Sequence, residues 1–251
     1  MKMKSKKVLT TAMTILATLM SMHQASAAIA LDRTRVIVNG SENSVSLNIS
    51  NENKQLPYLA QSWLEDEKGN KISSPLAVLP PVQRLEPGAK SQVKVQVSSG
   101  IAALPNDRES LYYFNLREIP PRSKKPNTLQ IALQTRIKLF YRPKAIELDK
   151  TEAANGQWVE KVTLNRQGDK FIVNNPTPYY LTLVSGAASA KAKSVTFQPV
   201  MVSPKGQQEL LASANELGNS PVLTYINDYG GRPQIQFSCS GTVCSGKLLK
   251  N

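Results

Sequence analysis

Apolar and polar residues alternate along most of the chain, in short segments that turn residues separate. This period of two is typical of β-strands that bury one face and expose the other, and no helical periodicity is evident. Turn-forming pairs such as Asn39-Gly40 and Pro87-Gly88 lie between the segments. The pattern therefore predicts an all-β protein in which short strands form sandwiches.

The alternating segments form two series of seven, with a polar stretch at residues 144–157 that we interpret as a linker. Seven strands suffice for one immunoglobulin-like sandwich of about 100 residues, so two such domains are expected. The first series comprises Arg35 to Val38, Ser44 to Ser50, Tyr58 to Leu64, Ala77 to Leu79, Gln92 to Val97, Ser110 to Glu118 and Leu129 to Tyr141. The second comprises Glu160 to Leu164, Lys170 to Asn174, Tyr179 to Leu183, Ser194 to Pro199, Gln208 to Leu211, Val222 to Ile226 and Gln234 to Cys239.

The first 27 residues have the composition of a secretion signal. Four lysines precede a mostly apolar run from Val8 to Met20, and Ala25-Ser26-Ala27 is a small-x-small cleavage site. No later segment approaches the roughly 20 apolar residues of a membrane helix, so we expect no membrane insertion. The sequence thus predicts a signal peptide at 1–27, an N-terminal domain at 28–147 and a C-terminal domain at 148–251.

The single histidine of the chain, His23, lies inside the predicted signal peptide. Without histidine, the exported chain lacks Ser–His and Cys–His nucleophile activation and histidine metal ligands. Clustered metal ligands and nucleophile motifs are not evident either, although a pair of carboxylates could in principle still act in catalysis. We therefore expect no enzyme activity, no cofactor and no metal.

The charge balance points to an acidic partner. The formal net charge is +13, and loss of four lysines with the signal peptide lowers it to +9. A basic surface can indicate nucleic-acid binding. Export and the lack of interleaved aromatic and basic residues argue against nucleic acid, so a protein with acidic or carboxylate groups fits better.

The chain has two cysteines, Cys239 and Cys244, five positions apart. In an exported protein a disulfide is the default state of such a pair. The spacing is not C-x-x-C and no histidine is available to stabilise a thiolate, so a structural disulfide is favoured over a redox pair. It would close the last hairpin.

The segment from Leu129 to Tyr141 is about twice as long as a usual strand. Leu129, Ile131 and Leu133 share one face by strand parity, and the residues between them share the other. On these grounds alone it is a half-buried core strand. At the edge of a sheet it could instead offer its unpaired backbone groups to another chain.

Several motifs together resemble the periplasmic pilus chaperones of Gram-negative bacteria, over the whole exported chain. They are Leu104-Pro105-Asn106-Asp107-Arg108-Glu109-Ser110-Leu111 with Tyr113, Asn115-Leu116 and Ile119-Pro120-Pro121, then Leu31-Asp32-Arg33-Thr34-Arg35, Ile137-Lys138-Leu139-Phe140-Tyr141-Arg142-Pro143 and Tyr225-Ile226-Asn227-Asp228-Tyr229-Gly230-Gly231. The short loop between the sixth and seventh strands resembles the branch that builds rod-like pili.

The resemblance implies two immunoglobulin-like domains joined at an angle, with a cleft between them. It implies periplasmic partners, namely pilins and an adhesin whose open core would accept Leu129, Ile131 and Leu133 from the chaperone's seventh strand. Delivery to an outer-membrane usher is also implied. An exposed apolar edge would additionally allow free copies to associate with each other.

The resemblance further assigns roles to charged residues. Arg35 and Lys138 match the two positions that grip the subunit's C-terminal carboxylate, a task for which a guanidinium fork and a compact ammonium are suited. Glu109, Arg142 and Asp228 match the charged set that ties the domains together. The alternative is that these three residues are separate surface charges with no common role.

One alternative remains from the sequence, an exported fibre subunit or adhesin-like sandwich. A pilin would lack its own last strand, whereas each series here ends in a long alternating segment. The chaperone hypothesis is therefore preferred.

Overall fold

The computed structural model describes residues 27–249. The predicted signal peptide at 1–27 therefore lies outside the described residues, except for Ala27. Within 27–249 no helix is both long and apolar enough to cross a membrane.

Two sheets form the first half of the described chain. One has the strand order β1-β3-β8-β6 and the other the order β2-β10-β9-β4-β5, with β7 also paired to β4. Their strands are β1 (Ile29–Leu31), β2 (Arg35–Asn39), β3 (Ser44–Asn51), β4 (Tyr58–Glu65), β5 (Lys71–Ile72), β6 (Leu76–Leu79), β7 (Val82–Leu85), β8 (Lys90–Val97), β9 (Ser110–Ile119) and β10 (Gln134–Arg142).

Alternation along these strands builds the first core. β3 and β8 point Leu47 and Val93 inward, while β9 and β10 contribute Phe114 and Leu139, and all four side chains are buried. The two apolar faces cover each other, which is the sandwich arrangement that alternating strands require.

A single eight-stranded sheet forms the second half, with the order β14-β13-β16-β17-β18-β11-β12-β15. The strands at the two ends of this order, β14 and β15, are consecutive in the chain and separated by three residues. The sheet surrounds one core that includes Phe171, Tyr225 and Phe237. Its strands are β11 (Thr163–Gln167), β12 (Lys170–Asn175), β13 (Leu181–Ala187), β14 (Val195–Val202), β15 (Gly206–Glu209), β16 (Val222–Tyr225), β17 (Gln234–Ser240) and β18 (Val243–Leu248). The all-β prediction is confirmed.

The last hairpin carries the predicted disulfide. β17 and β18 are antiparallel, and Cys239 lies directly opposite Cys244. The two sulfurs are bonded, with the Cα atoms 3.8 Å apart.

Two short α-helices occur where none was predicted, α1 (Lys150–Asn155) and α2 (Ala214–Leu217). The helix α1 lies in the stretch interpreted as a linker. Asp149 caps α1 by accepting from Glu152 N–H, and Ser213 caps α2 by accepting from Glu216 N–H. A capping residue followed three positions later by glutamate is a known helix-start signal, and it could have revealed both helices.

The predicted strand Leu129–Tyr141 is wrong in its first part. The strand β10 begins at Gln134, and just before it Leu133 O accepts from Glu118 N–H at 3.0 Å. The neighbouring strand β9 then runs into Pro120-Pro121, and proline has no N–H to donate. Backbone pairing therefore stops there.

The other differences are at strand ends and in short strands. The alternation missed β1, β5, β7 and β18, most of which are too short to show a period. The predicted strand Glu160 to Leu164 begins later, because residues 157–161 form a 3-10 turn. The predicted strand Tyr179 to Leu183 likewise starts only at Leu181.

Candidate functional site: a cationic pair between the two sandwiches

Arg35 and Lys138 lie side by side in the six-stranded sheet. The strands β2 and β10 are parallel neighbours, and the register places Lys138 opposite Arg35. The adjacent residues Val36 and Leu139 are fully buried in the core of the first sandwich. Strand alternation therefore turns both cations to the sheet's other face, which meets the second sandwich.

Both cations donate to acceptors in the second sandwich. Arg35 Nη1 donates to the main-chain oxygen of Ile226 at 3.0 Å. Lys138 Nζ donates to Thr182 Oγ1 at 3.2 Å. The Nε of Arg35 is buried and has no hydrogen-bond partner among residues 27–249.

Arg35 and Lys138 carry like charges and lie close enough for one to affect the pKa of the other. Burial and the nearby charge of Arg35 lower the pKa of Lys138 to about 8. Burial also lowers the pKa of Arg35, and the charges of Asp228 and Glu109 partly offset that effect. A carboxylate bound between the two cations would relieve their repulsion.

The two acids near the cations are engaged by a third basic residue. Arg142 donates from Nε and Nη2 to Glu109 Oε1 at 2.9 and 2.7 Å, and from Nη1 to Asp228 Oδ2 at 2.7 Å. Glu109 also accepts from Tyr180 N–H at 2.7 Å. Since Asp228 and Tyr180 belong to the second sandwich, this ion network joins the two halves.

Burial decides the direction of the pKa shift of Glu109 but not that of Arg142. It raises the pKa of the Glu109 carboxyl, while the charge of Arg142 and the Tyr180 N–H oppose that rise. The two acids raise the pKa of Arg142 despite its burial, so the guanidinium stays charged. Only 3% of the Arg142 side chain is exposed.

Tyr180 makes further contacts between the halves that the sequence did not reveal. Its hydroxyl donates to Glu67 Oε1 at 2.9 Å, and its ring lies 5.4 Å from that of Phe140. Nearby, Glu109 N–H donates to the main-chain oxygen of Pro178 at 2.9 Å. These partners are far apart in the chain, and no local pattern signals them.

The apolar segment before β10 is exposed. Leu129 is 84% exposed, Ile131 63% and Leu133 43%. It follows a loop that carries the exposed basic residues Arg122, Lys124 and Lys125. From Leu133 to Lys138 the chain advances five residues, or about 17 Å if fully extended. The structure thus places the exposed apolar residues and Lys138 on one continuous stretch of chain, with Arg35 beside Lys138 on β2.

Two family models match the chain. The model of the pili and flagellar-assembly chaperone PapD N-terminal domain matches residues 28–147, and that of the pili assembly chaperone PapD C-terminal domain matches residues 157–237. The chain is also 54% identical over 228 residues to the chaperone protein PapD of Escherichia coli, covering 90% of this chain and 92% of that protein. The chain belongs to the PapD family of pilus-assembly chaperones.

Solved structures agree with membership of the PapD family. The periplasmic chaperone SfaE has a TM-score of 0.64 and 30% identity, covering 83% of this chain and 98% of that one. The SafB chaperone of Salmonella enterica, solved in complex with the SafA pilin, has a TM-score of 0.68 and 26% identity, covering 90% and 99%. The predicted fold of two immunoglobulin-like domains is thereby confirmed.

The described part of the chain holds no cluster of metal-ligating side chains. Among residues 27–249, no three or more histidine, cysteine, aspartate or glutamate side chains are grouped so that they could hold an ion. The acids of the cleft are bonded to Arg142, and the two charged side chains of the pair, Arg35 and Lys138, can only donate hydrogen bonds. The arrangement is suited to binding an anion.

Proposed function

We propose that this PapD-family protein is a periplasmic chaperone that binds pilus subunits and delivers them to an outer-membrane usher. Arg35 and Lys138 would hold the subunit's C-terminal carboxylate, and Leu129, Ile131 and Leu133 would fill the subunit's open core. The subunits served would be pilins and an adhesin. No catalytic step is part of this function.

The observation that carries the proposal is the cationic pair. Arg35 is buried and Lys138 is half-buried, and both are oriented by neutral acceptors. The nearby acids Glu109 and Asp228 are already bonded to Arg142. A carboxylate could accept charge-assisted hydrogen bonds from both cations, each worth roughly 1.5–3 kcal/mol.

The exposed apolar segment supports the same proposal. Leu129, Ile131 and Leu133 could each contribute about 1.5–3 kcal/mol if a partner buried them. A partner strand could continue the backbone pairing that ends at Leu133. An anchored carboxylate would fix which partner residue meets which apolar side chain.

The fibre-subunit alternative is less well supported. A sandwich that lacks its last strand would leave its core open, but β10 is paired on both sides, with β9 and with β2. In the second half, β18 is paired with β17 and β11. Both sandwiches therefore have their final strands in place.

Co-expression tests the anchor assignment. A pilin from the same bacterium would be produced with the wild type, with Arg35→Ala, with Lys138→Ala, or with Lys94→Ala as a control. Lys94 is an exposed lysine of β8 in the other sheet. We expect the two anchor variants to recover at least about tenfold less soluble subunit, because each loses a charged hydrogen bond.

The measurement is the amount of pilin that co-purifies with the chaperone from the periplasm. Circular dichroism of each free variant checks that it is folded. Equal recovery with wild type and with both anchor variants would show that the carboxylate is held elsewhere.

A further inference from the structure

One patch of the second sandwich holds both cations. Thr182 lies on β13, and Ile226 follows the end of β16. The two residues are bonded to each other, since Ile226 N–H donates to Thr182 O at 3.0 Å. Thr182 Oγ1 accepts from Lys138, and Ile226 O accepts from Arg35. Each cation is therefore oriented by one acceptor of a single hydrogen-bonded patch.

The two acceptors are neutral, and this matters for an anion site. A carboxylate at either position would neutralise the cation it orients and would repel an incoming carboxylate. A hydroxyl and a carbonyl orient the donor while leaving its charge available. Only 4% of Thr182 is exposed, so packing fixes the place of its hydroxyl.

Lys138 needs such orientation more than Arg35 does. An ammonium on a four-carbon stem is flexible, whereas a guanidinium is planar and presents a rigid fork. Fixing the stem before the partner arrives removes part of the ordering cost of binding. The Thr182 hydroxyl is the acceptor that the structure provides for Lys138.

The same patch is fixed to the ion network. Tyr180 lies two residues before Thr182 and donates its N–H to Glu109. Asp228 lies two residues after Ile226 and bonds to Arg142. The network therefore holds the patch against the first sandwich, which carries the cations.

We propose that Thr182 is a positioning residue of the carboxylate site, and that its hydroxyl holds the Lys138 ammonium where a bound carboxylate needs it. This inference rests on the proposed function and adds a determinant from the second sandwich. Thr182 itself need not touch the partner. The alternative is that Thr182 only fills space at the contact between the halves.

The test compares Thr182→Val, which keeps the shape and removes the hydroxyl, with Thr182→Ser, which keeps the hydroxyl. Thr224→Val is the matched control, because Thr224 is a half-buried threonine on the neighbouring strand β16. The probe is a synthetic peptide that copies the last strand of a pilin from the same bacterium, prepared as the free acid and as the C-terminal amide. Affinities are measured by calorimetry.

We expect Thr182→Val to bind the acid about tenfold more weakly, the loss typical of one hydrogen bond to a charged group. Affinity for the amide should be unchanged, and Thr182→Ser should restore most of the affinity for the acid. By NMR, the titration of Lys138 should shift to lower pH in the valine variant and return in the serine variant. A purely space-filling role predicts neither the acid-specific loss nor the shift.

The outcomes separate the two hypotheses. If the wild type prefers the acid but Thr182→Val binds it equally well, the positioning role is overturned and the carboxylate site stands. If Thr182→Val weakens the acid and the amide equally, its effect is structural and the proposal also fails. If the wild type does not distinguish acid from amide, the carboxylate site itself is refuted.

Discussion

Lys138 holds its positive charge under two opposing influences. Burial and the charge of Arg35 disfavour the ammonium, and together they lower its pKa to about 8. A bound carboxylate would favour the ammonium, so the pKa would rise again in the complex. Binding should therefore be linked to the uptake of a proton near and above pH 8.

The affinity for a partner's carboxylate should depend on the protonation of Lys138. Because only the ammonium form attracts a carboxylate, affinity for the free-acid peptide should be level below about pH 8. It should fall by up to tenfold per pH unit above that, until the pKa of the complex is reached. Calorimetry between pH 6.5 and 9.5 measures it. Lys138→Arg should show no such fall, because arginine stays charged throughout this range. If the affinity of the wild type changed as little with pH as that of Lys138→Arg, the prediction would be contradicted.

The two cations could be predicted from the sequence, whereas the acceptors that orient them could not. The motif resemblance pointed to Arg35 and Lys138, and the structure places them side by side. It did not point to Thr182 or to the Ile226 carbonyl. A threonine on an alternating strand carries no local sign that its hydroxyl faces a lysine 44 positions earlier.

At the scale of elements, the segment before β10 determines how a partner strand could dock. Alternation suggested one long strand, but pairing depends on whether the neighbouring strand still offers N–H groups. Pro120-Pro121 ends that supply, so Leu129, Ile131 and Leu133 stay outside β10 and exposed. Their exposure makes the segment available to a partner without breaking a native strand.

Substitution of Ile131 tests this segment. Ile131→Asp should reduce pilin recovery on co-expression by at least about tenfold, because it replaces about 1.5–3 kcal/mol of apolar burial with a charge. Ala132→Asp is the control, since strand parity would turn that residue away from the partner's core. The melting temperature of the free protein should not change, because Ile131 is 63% exposed. Equal recovery of pilin by the two variants would argue against insertion of Ile131 into the subunit's open core.

At the scale of the whole molecule, the two sandwiches are joined by buried and exposed contacts of different strength. The buried contact is Arg142 between Glu109 and Asp228. An exposed pair, Lys205 with Asp107, also spans the two halves. Exposed ion pairs contribute little, whereas breaking a buried one leaves an unpaired charge.

Removal of Arg142 should therefore destabilise the protein. Arg142→Met removes the cation that Glu109 and Asp228 share. Burial already raises the pKa of Glu109, so its carboxyl must then take up a proton or remain an unpaired buried charge, and the free energy of unfolding should fall by about 3 kcal/mol. Urea unfolding followed by tryptophan fluorescence measures it. The double variant Glu109→Gln/Arg142→Met should recover part of the loss, because the buried carboxyl that lost its cation is also removed.

Lys205→Ala serves as the control for that experiment and should leave the urea midpoint unchanged. An equal effect of Arg142→Met and Lys205→Ala would mean that the buried network does not stabilise the junction between the sandwiches.

The sequence by itself determined the all-β class, the two sets of strands, the lack of histidine after position 23 and the disulfide of the last hairpin. Alternation, turn residues and cysteine spacing are local, so they can be recognised without knowing which segments meet. Only the tertiary structure decided where β10 begins, how Arg142 bridges the halves, and which acceptors hold Arg35 and Lys138. The start of β10 depends on its pairing with β9 inside the first sandwich. The other features depend on burial and on hydrogen bonds between residues far apart in the chain, and they exist only once the two sandwiches pack against each other.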